Sequence, residues 1–369
     1  MNRWESYILY NEKEEIGKFW QDYYRSRKQA KVLFLLGKGF DPRMNNIISL
    51  LLDNIVDLSI HVECITFDFP APEQNQDNIE LYNENSNQLE TLSKQYGLKI
   101  SDITINTTLP WEKRIAMMSR QIAEKDLSIY DDFILDVSSL PRAFYFNIAK
   151  VIYNKLCRNN SKNLFFAVSE NVEIDKLIEK HTKNDDIEPL RGFKSMLSME
   201  SHLDRINILI PLIGESKVNL LKSIYNHFKP SDMFPVLPFP SKDPRRSDSL
   251  LREYHNFFIE KKFVEPQNIT YADERNPFEL YRIVASLMEE HKKTLMPISQ
   301  NVCFGLALLT SKLLSLGALL LGLEYNDCVA IYNVSSRSYT IKDINKLKEC
   351  NSASEPFLIW VTGDAYNEE

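Results

Sequence analysis

The side chains best placed for chemistry are arginines that follow prolines just past apolar segments. The segment GKGFDPR ends the run KVLFLLG and carries Gly37, Lys38, Gly39, Asp41 and Arg43. DVSSLPR, after the apolar FILDV, carries Asp136, Ser138, Ser139 and Arg142, and SKDPRRSD carries Arg245 and Arg246. Proline is favoured at the first helical position, and Asp or Ser ahead of it can cap. A cation in that first turn opposes the positive end of the helix dipole by about 0.3–1 kcal/mol. It fits best where an anion takes the free N–H groups and the guanidinium together, and phosphate is the natural candidate. LIGESKVNLL adds another such first turn, with Ser216 and Lys217 after Gly214.

Each of these turns also has a plain structural reading: a tight turn with Arg43 paired to an acidic neighbour such as Asp68, and ordinary helix caps at the others. Two glycines within three residues, among only ten in the chain, let backbone approach a ligand closely at Gly37 and Gly39. The segment is not a dinucleotide fingerprint, because Pro42 stands where the third glycine would be, and it lacks the GKS or GKT of a Walker A loop. DVSSLPR is not a nucleophile elbow. Asp136, at a strand end, suits a metal, a ribose hydroxyl or Arg43. The six histidines are dispersed, and the five cysteines form no close pair. The spacing therefore predicts no zinc site, no disulfide framework and a reducing cytoplasm. No nucleophile and base pair is legible, so no catalytic residue, metal ligand or cofactor is assigned.

The elements that must position these residues alternate. An amphipathic helix is expected over residues 4 to 28, with Trp4, Tyr7, Phe19, Trp20 and Tyr23 near one side, more aromatic surface than a single unit needs. Strands are expected at KVLFLL, SIHVECITFDF, LKISDITI, FILDVS and NLFFAVS, with a polar loop and one exposed helix over residues 70 to 97. The alternation restarts at INILIPLIG and runs through MFPVLPFP (an edge or irregular strand, given its prolines), NITYAD, CVAIYNV and PFLIWVTG. MPISQNVCFG is expected to place Ser299, Gln300 and Asn301 before a helix that packs through Gly305, and NVSSRSY to put Arg337 at a strand end. Alternating strands and helices give parallel sheets with crossover connections. The expected fold class is α/β: two Rossmann-like units with mainly parallel sheets, over residues 1–190 and 205–369, with an N-terminal amphipathic helix.

The net charge of −7 argues against broad, sequence-blind nucleic-acid binding but not against a local basic pocket. The N-terminus carries charges where a signal peptide needs its apolar core. Residues 302 to 323 are apolar for about a membrane span, but Lys312 at the centre would oppose insertion by about 2.5–3.5 kcal/mol. The stretch is read as a buried helix broken near Gly317, so no membrane partner is expected.

GFDPR and DVSSLPR, paired with the later PLIG and KVN, resemble segments of bacterial antiphage-defence-associated proteins with tandem Rossmann-like domains. These are similar in outline to CARF and SAVED sensors, which bind cyclic or linear oligonucleotides. The resemblance covers most of the chain as architecture. Residue by residue it covers Gly37 to Arg43, Asp136 to Arg142 and Pro297 to Gly305. In the last of these the chain has ISQNVCFG where a Gly-Ser/Thr-Lys phosphate motif is expected. The resemblance implies a non-enzymatic sensor or regulatory subunit of a defence system. Its nucleotide or oligonucleotide ligand would lie at the strand ends, its effector would be a partner chain, and a homo-oligomer stays open. Two other readings stand beside it: a metal-dependent enzyme on nucleotides or nucleic acid using Asp136 and Asp68, and an assembly subunit with no small ligand.

Overall fold

The computed structural model describes residues 3–70, 76–158, 160–181, 187–195, 205–261, 264–295, 297–299, 301–334 and 338–367. Gln300, Arg337 and His202 lie outside the described residues. The chain forms two compact units, one made of Tyr7–His181 with Ser336–Glu369 and the other of Met1–Ser6 with Thr182–Ser335.

The first unit runs β1 (Ile8–Tyr10), α1 (Lys13–Ser26), β2 (Lys31–Lys38), α2 (Asn46–Ile55), β3 (His61–Asp68), α3 (Gln76–Tyr96), β4 (Lys99–Thr104), α4 (Trp111–Glu124), β5 (Asp132–Asp136), α5 (Arg142–Ile152), β6 (Asn163–Glu170), α6 (Val172–Leu177) and β7 (Ile178–His181). The sheet order is β4, β3, β2, β5, β6, all parallel. Strand order therefore reverses between β2 and β5. KVLFLLGK is apolar without alternation because β2 sits mid-sheet and is buried on both faces. A short helical turn, Pro42–Asn45, follows β2 before α2 begins.

The second unit runs β8 (Ile206–Leu212), α7 (Val218–Phe228), β9 (Asp232–Met233), β10 (Val236–Pro238), α8 (Arg246–Lys261), β11 (Thr270–Ala272), α9 (Pro277–Leu295), β12 (Val302–Leu308), α10 (Lys312–Glu324) and β13 (Val329–Tyr332). Its sheet order is β11, β10, β8, β12, β13, again parallel, with β9 beside β8. In both units the first, second and third parallel strands lie on one side of the reversal and the fourth and fifth on the other. That is a Rossmann-like strand order. No helix among the described residues is long and apolar enough to cross a membrane.

The chain then returns to the first unit through β14 (Ser338–Ile341), α11 (Ile344–Cys350) and β15 (Glu355–Thr362). β15 pairs antiparallel with β6, and β1 with β15, while β14 pairs with β7 in a separate two-stranded ribbon. The expected second domain of residues 205–369 is therefore corrected at its C-terminal end. PFLIWVTG is apolar enough for either sheet, and its antiparallel register on β6 is set by partners distant in sequence.

Further expectations change. Residues 302 to 323 are not one broken helix. Val302–Leu308 is the strand beside β8, and the helix begins only after Ser311, whose hydroxyl accepts from Leu314 N–H at 3.2 Å. A fully buried strand and a fully buried helix share the same unbroken apolar signature, so periodicity could not separate them. Gly305 belongs to that strand, where an added methyl would lie 2.9 Å from the Phe228 ring. MFPVLPFP is not at the sheet edge but is irregular: it is broken into β9 and the three-residue β10, which lies between β8 and β11.

The N-terminal helix is shorter than residues 4 to 28, because Ile8–Tyr10 pairs as a strand. Its aromatics cover their own sheet. Trp20 meets Phe165 edge-on at 5.4 Å between ring centroids, Phe165 lies 5.0 Å from Trp360, and Phe19 and Tyr23 pack around the same rings. Trp4 belongs to the second unit, edge-on to Tyr281 at 5.1 Å.

Candidate functional site

Open parallel sheets bind ligands past the carboxyl ends of their strands, at the point of reversal. In the first unit that point lies between the ends of β2 and β5, and the chain fills much of it. Ser139 Oγ donates to Gly37 O at 2.6 Å. A methyl on Gly37 would lie 2.9 Å from Leu140 Cδ2, and Leu140 is fully buried. Gly37 is thus a glycine because DVSSL crosses directly over it. Asp136, also fully buried, accepts from Ser138 N–H at 2.8 Å and from the Ser138 hydroxyl, which itself accepts from Ser169 N–H at 2.8 Å. These groups fold the loop and do not cap α5, whose first residue, Arg142, is half-exposed behind an extended Pro141.

Arg43 does not face an open crevice. Its side chain is 3% exposed and meets Asp41 through two bonds, Nε to Oδ1 at 2.9 Å and Nη2 to Oδ2 at 2.8 Å. Nη2 also reaches Asp175 Oδ1 at 3.0 Å. Asp41 further accepts from Arg43 N–H at 3.1 Å, capping the Pro42–Asn45 turn. Burial works against the Arg43 charge, but Asp175 and Asp41 outweigh it and keep the guanidinium protonated. The partner is not Asp68. Asp175 lies far along the chain, and no signal in the sequence marks it.

The second unit repeats this arrangement. Arg246 holds Glu215 through Nε to Oε1 at 2.6 Å and Nη2 to Oε2 at 3.0 Å, and Glu274 through Nη1 at 2.6 Å. It thereby ties together the segments that follow β8, β10 and β11. Burial again opposes the charge, and Glu215 and Glu274 outweigh it. Ser216 adopts a positive φ of 58°, and its N–H donates to Glu253 Oε1 at 2.7 Å. Lys217 is the residue before α7 and is half-exposed, and its side chain does not cap that helix. Arg245 is exposed, with its N–H on Asp243 Oδ1 at 2.9 Å. Arginines and a helix start did find anions here, but the anions are carboxylates of the chain itself.

What stays open is the edge beyond β2 and β3. Lys38, Gly39, Asp68 and Tyr82 are all part-exposed there. Lys38 lies opposite Asp68 in the β2–β3 register, and its Nζ is 3.4 Å from Asp102 Oδ2 and 5.8 Å from the centre of the Tyr82 ring. Asp102 also accepts from the Thr66 hydroxyl. Tyr82 donates to Asp68 Oδ1 at 2.7 Å; burial and that carboxylate both push the phenol up, so it stays protonated. A methyl on Gly39 would meet nothing within 4 Å, and Gly39 has no positive φ. Asp102 and Tyr82 were missed by the sequence reading, because neither stands in a recognisable spacing from Lys38.

No family model matches the chain. No curated protein matches it. Among solved structures it is similar to a Pseudomonas aeruginosa UCBPP-PA14 protein described as a universal stress protein, at 10% identity, over 88% of this chain and 98% of that one, with a TM-score of 0.24. A likeness at that level carries no argument about function.

Proposed function

We propose that the chain is a non-enzymatic sensor or regulatory subunit that binds a nucleotide- or phosphate-containing ligand at the carboxyl ends of β2 and β3. The bacterial defence setting implied by the sequence resemblance, with a separate effector chain, belongs to the same proposal. The observation that carries it is Gly39. Neither backbone conformation nor packing requires a glycine there, yet it stands in open space at a strand end flanking the reversal. A residue without a side chain there lets a ligand approach the backbone closely. Lys38 beside it supplies a part-exposed cation, already paired with Asp102 at 3.4 Å, a longer contact than those that clamp Arg43 and Arg246. Asp68, at the end of the second parallel strand, stands where an acidic residue reads ribose hydroxyls in Rossmann-like sites. Asp136, the other carboxylate considered for a metal, is occupied by Ser138.

The test is thermal melting of the full chain with inorganic phosphate, ATP and a short adenine oligonucleotide, each with and without EDTA. A ligand at about 100 times its Kd should stabilise by about 2.7 kcal/mol. Gly39→Val should melt like wild type without ligand and lose the shift, Lys38→Ala should weaken it, and EDTA should leave it unchanged. If both variants keep every shift, the ligand does not bind there. If no anion shifts the wild type, the assembly-subunit reading replaces this one. The clamping of Arg43 and Arg246 by carboxylates favours that second reading, since those arginines already have their anions.

A further inference from the structure

The chain leaves the first unit through β7 and returns to it through β14, so two of its three covalent crossings between the units adjoin one ribbon, the third lying between Ser6 and Tyr7. The ribbon pairs Ile178 with Ile341, Glu179 with Thr340, Lys180 with Tyr339 and His181 with Ser338. An isolated two-stranded ribbon is marginal in water. Its order therefore depends on what it is anchored to, and the anchors include the segment next to the proposed ligand site. The Phe40 ring packs on Tyr339 at 5.4 Å, and both lie against the small core of Leu81, Ile174, Ile178, Ile341 and Leu347. Arg43 holds Asp175 on α6, the helix that runs directly into β7. Pro42 O accepts from Asn351 Nδ2 at 2.8 Å, just beyond α11.

We propose that residues 39 to 43 latch this ribbon, so that occupancy of the space at Gly39 sets the order of β7 and β14. The regulatory half of this inference rests on the proposed ligand site; the latch itself does not. A ligand that favours the seated loop favours the seated ribbon by the same differential free energy.

Hydrogen exchange on the full chain tests both halves. Without ligand, Phe40→Ala combined with Asp175→Asn should speed exchange in residues 178–181 and 338–341 about tenfold, while the central strands β5 and β6 keep wild-type rates. Unchanged ribbon exchange in that variant overturns the latch. With ATP as the probe, wild type should show ribbon exchange slowed about tenfold, and Gly39→Val should not. If ATP raises the melting temperature and leaves the ribbon unchanged, the coupling fails and the binding site stands. If neither phosphate, ATP nor the adenine oligonucleotide binds while the double variant loosens the ribbon, the ligand reading fails and the latch stands.

Discussion

Replacing Arg43 with alanine separates a structural arginine from a ligand arginine. The substitution removes three charge-assisted hydrogen bonds, two to Asp41 and one to Asp175. The two carboxylates then fare differently. Asp175 is 37% exposed on its side chain and rehydrates, so its share is about 1 kcal/mol or less. Asp41 is 9% exposed and loses both guanidinium bonds, so most of the loss comes from leaving its buried charge without the arginine. Removing one partner of a buried pair destabilises by about 3–5 kcal/mol. Arg43→Ala should therefore lose about 3–4 kcal/mol. Adding Asp41→Ala should recover about 1–2 kcal/mol, because the stranded charge is gone. Arg245→Ala, at an exposed position, should stay within about 0.5 kcal/mol. Urea unfolding followed by tryptophan fluorescence suits the measurement, since Trp20, Trp111 and Trp360 lie in the first unit and only Trp4 in the second. If Arg43→Ala unfolds with wild type and abolishes stabilisation by phosphate or ATP, the clamp is wrong and Arg43 serves a ligand.

Three further outcomes are expected. Gly214→Ala should destabilise by about 3 kcal/mol or more, because the new methyl would lie 2.1 Å from Leu309 O in the second unit; a soluble variant with wild-type urea midpoints would contradict that packing. Glu63 is held down to about 2 by the Tyr130 hydroxyl first, with burial opposing and His61 and Lys99 assisting. Its folded value lies below its unfolded one, so its contribution is present above about pH 4.5 and lost as pH falls towards 2. Tyr130→Phe should flatten that acid limb and, discounted for solvent screening, lower stability at pH 7 by about 1 kcal/mol, read from urea midpoints across pH. Asp132 has the opposite sign. Burial raises its pKa against Tyr23, Arg27 and Asn163, so its contribution is complete at acid pH and lost as pH rises through the folded value. Asp132→Asn should remove that loss, and an unchanged pH profile of the melting temperature would refute the assignment.

Much of the architecture was legible in the sequence. Unbroken apolar runs such as KVLFLLG and NLFFAVS read as buried parallel strands because nothing polar interrupts them, and turns ending in Pro-Arg marked the strand ends. The order of elements carried the doubled α/β class. Local signals failed where two structures share one pattern, as over residues 302 to 323, and where pairing partners are remote, as for β15 on β6.

The amino-acid sequence by itself determined that arginines would stand in the first turns beyond the strands, because a proline followed by a cation within one turn is local chemistry, and at Arg43 and Arg246 carboxylates meet them. Only the tertiary structure decided which anions. Asp175 reaches Arg43 across 132 residues, and Glu215 and Glu274 reach Arg246 from the ends of other strands. The same holds for the glycines: Gly37 and Gly39 are alike in sequence, but one lies under Leu140 and the other faces open space. The physical reason is that charge pairing and steric crowding depend on distance in space, and a sheet brings together strand ends that the chain keeps apart.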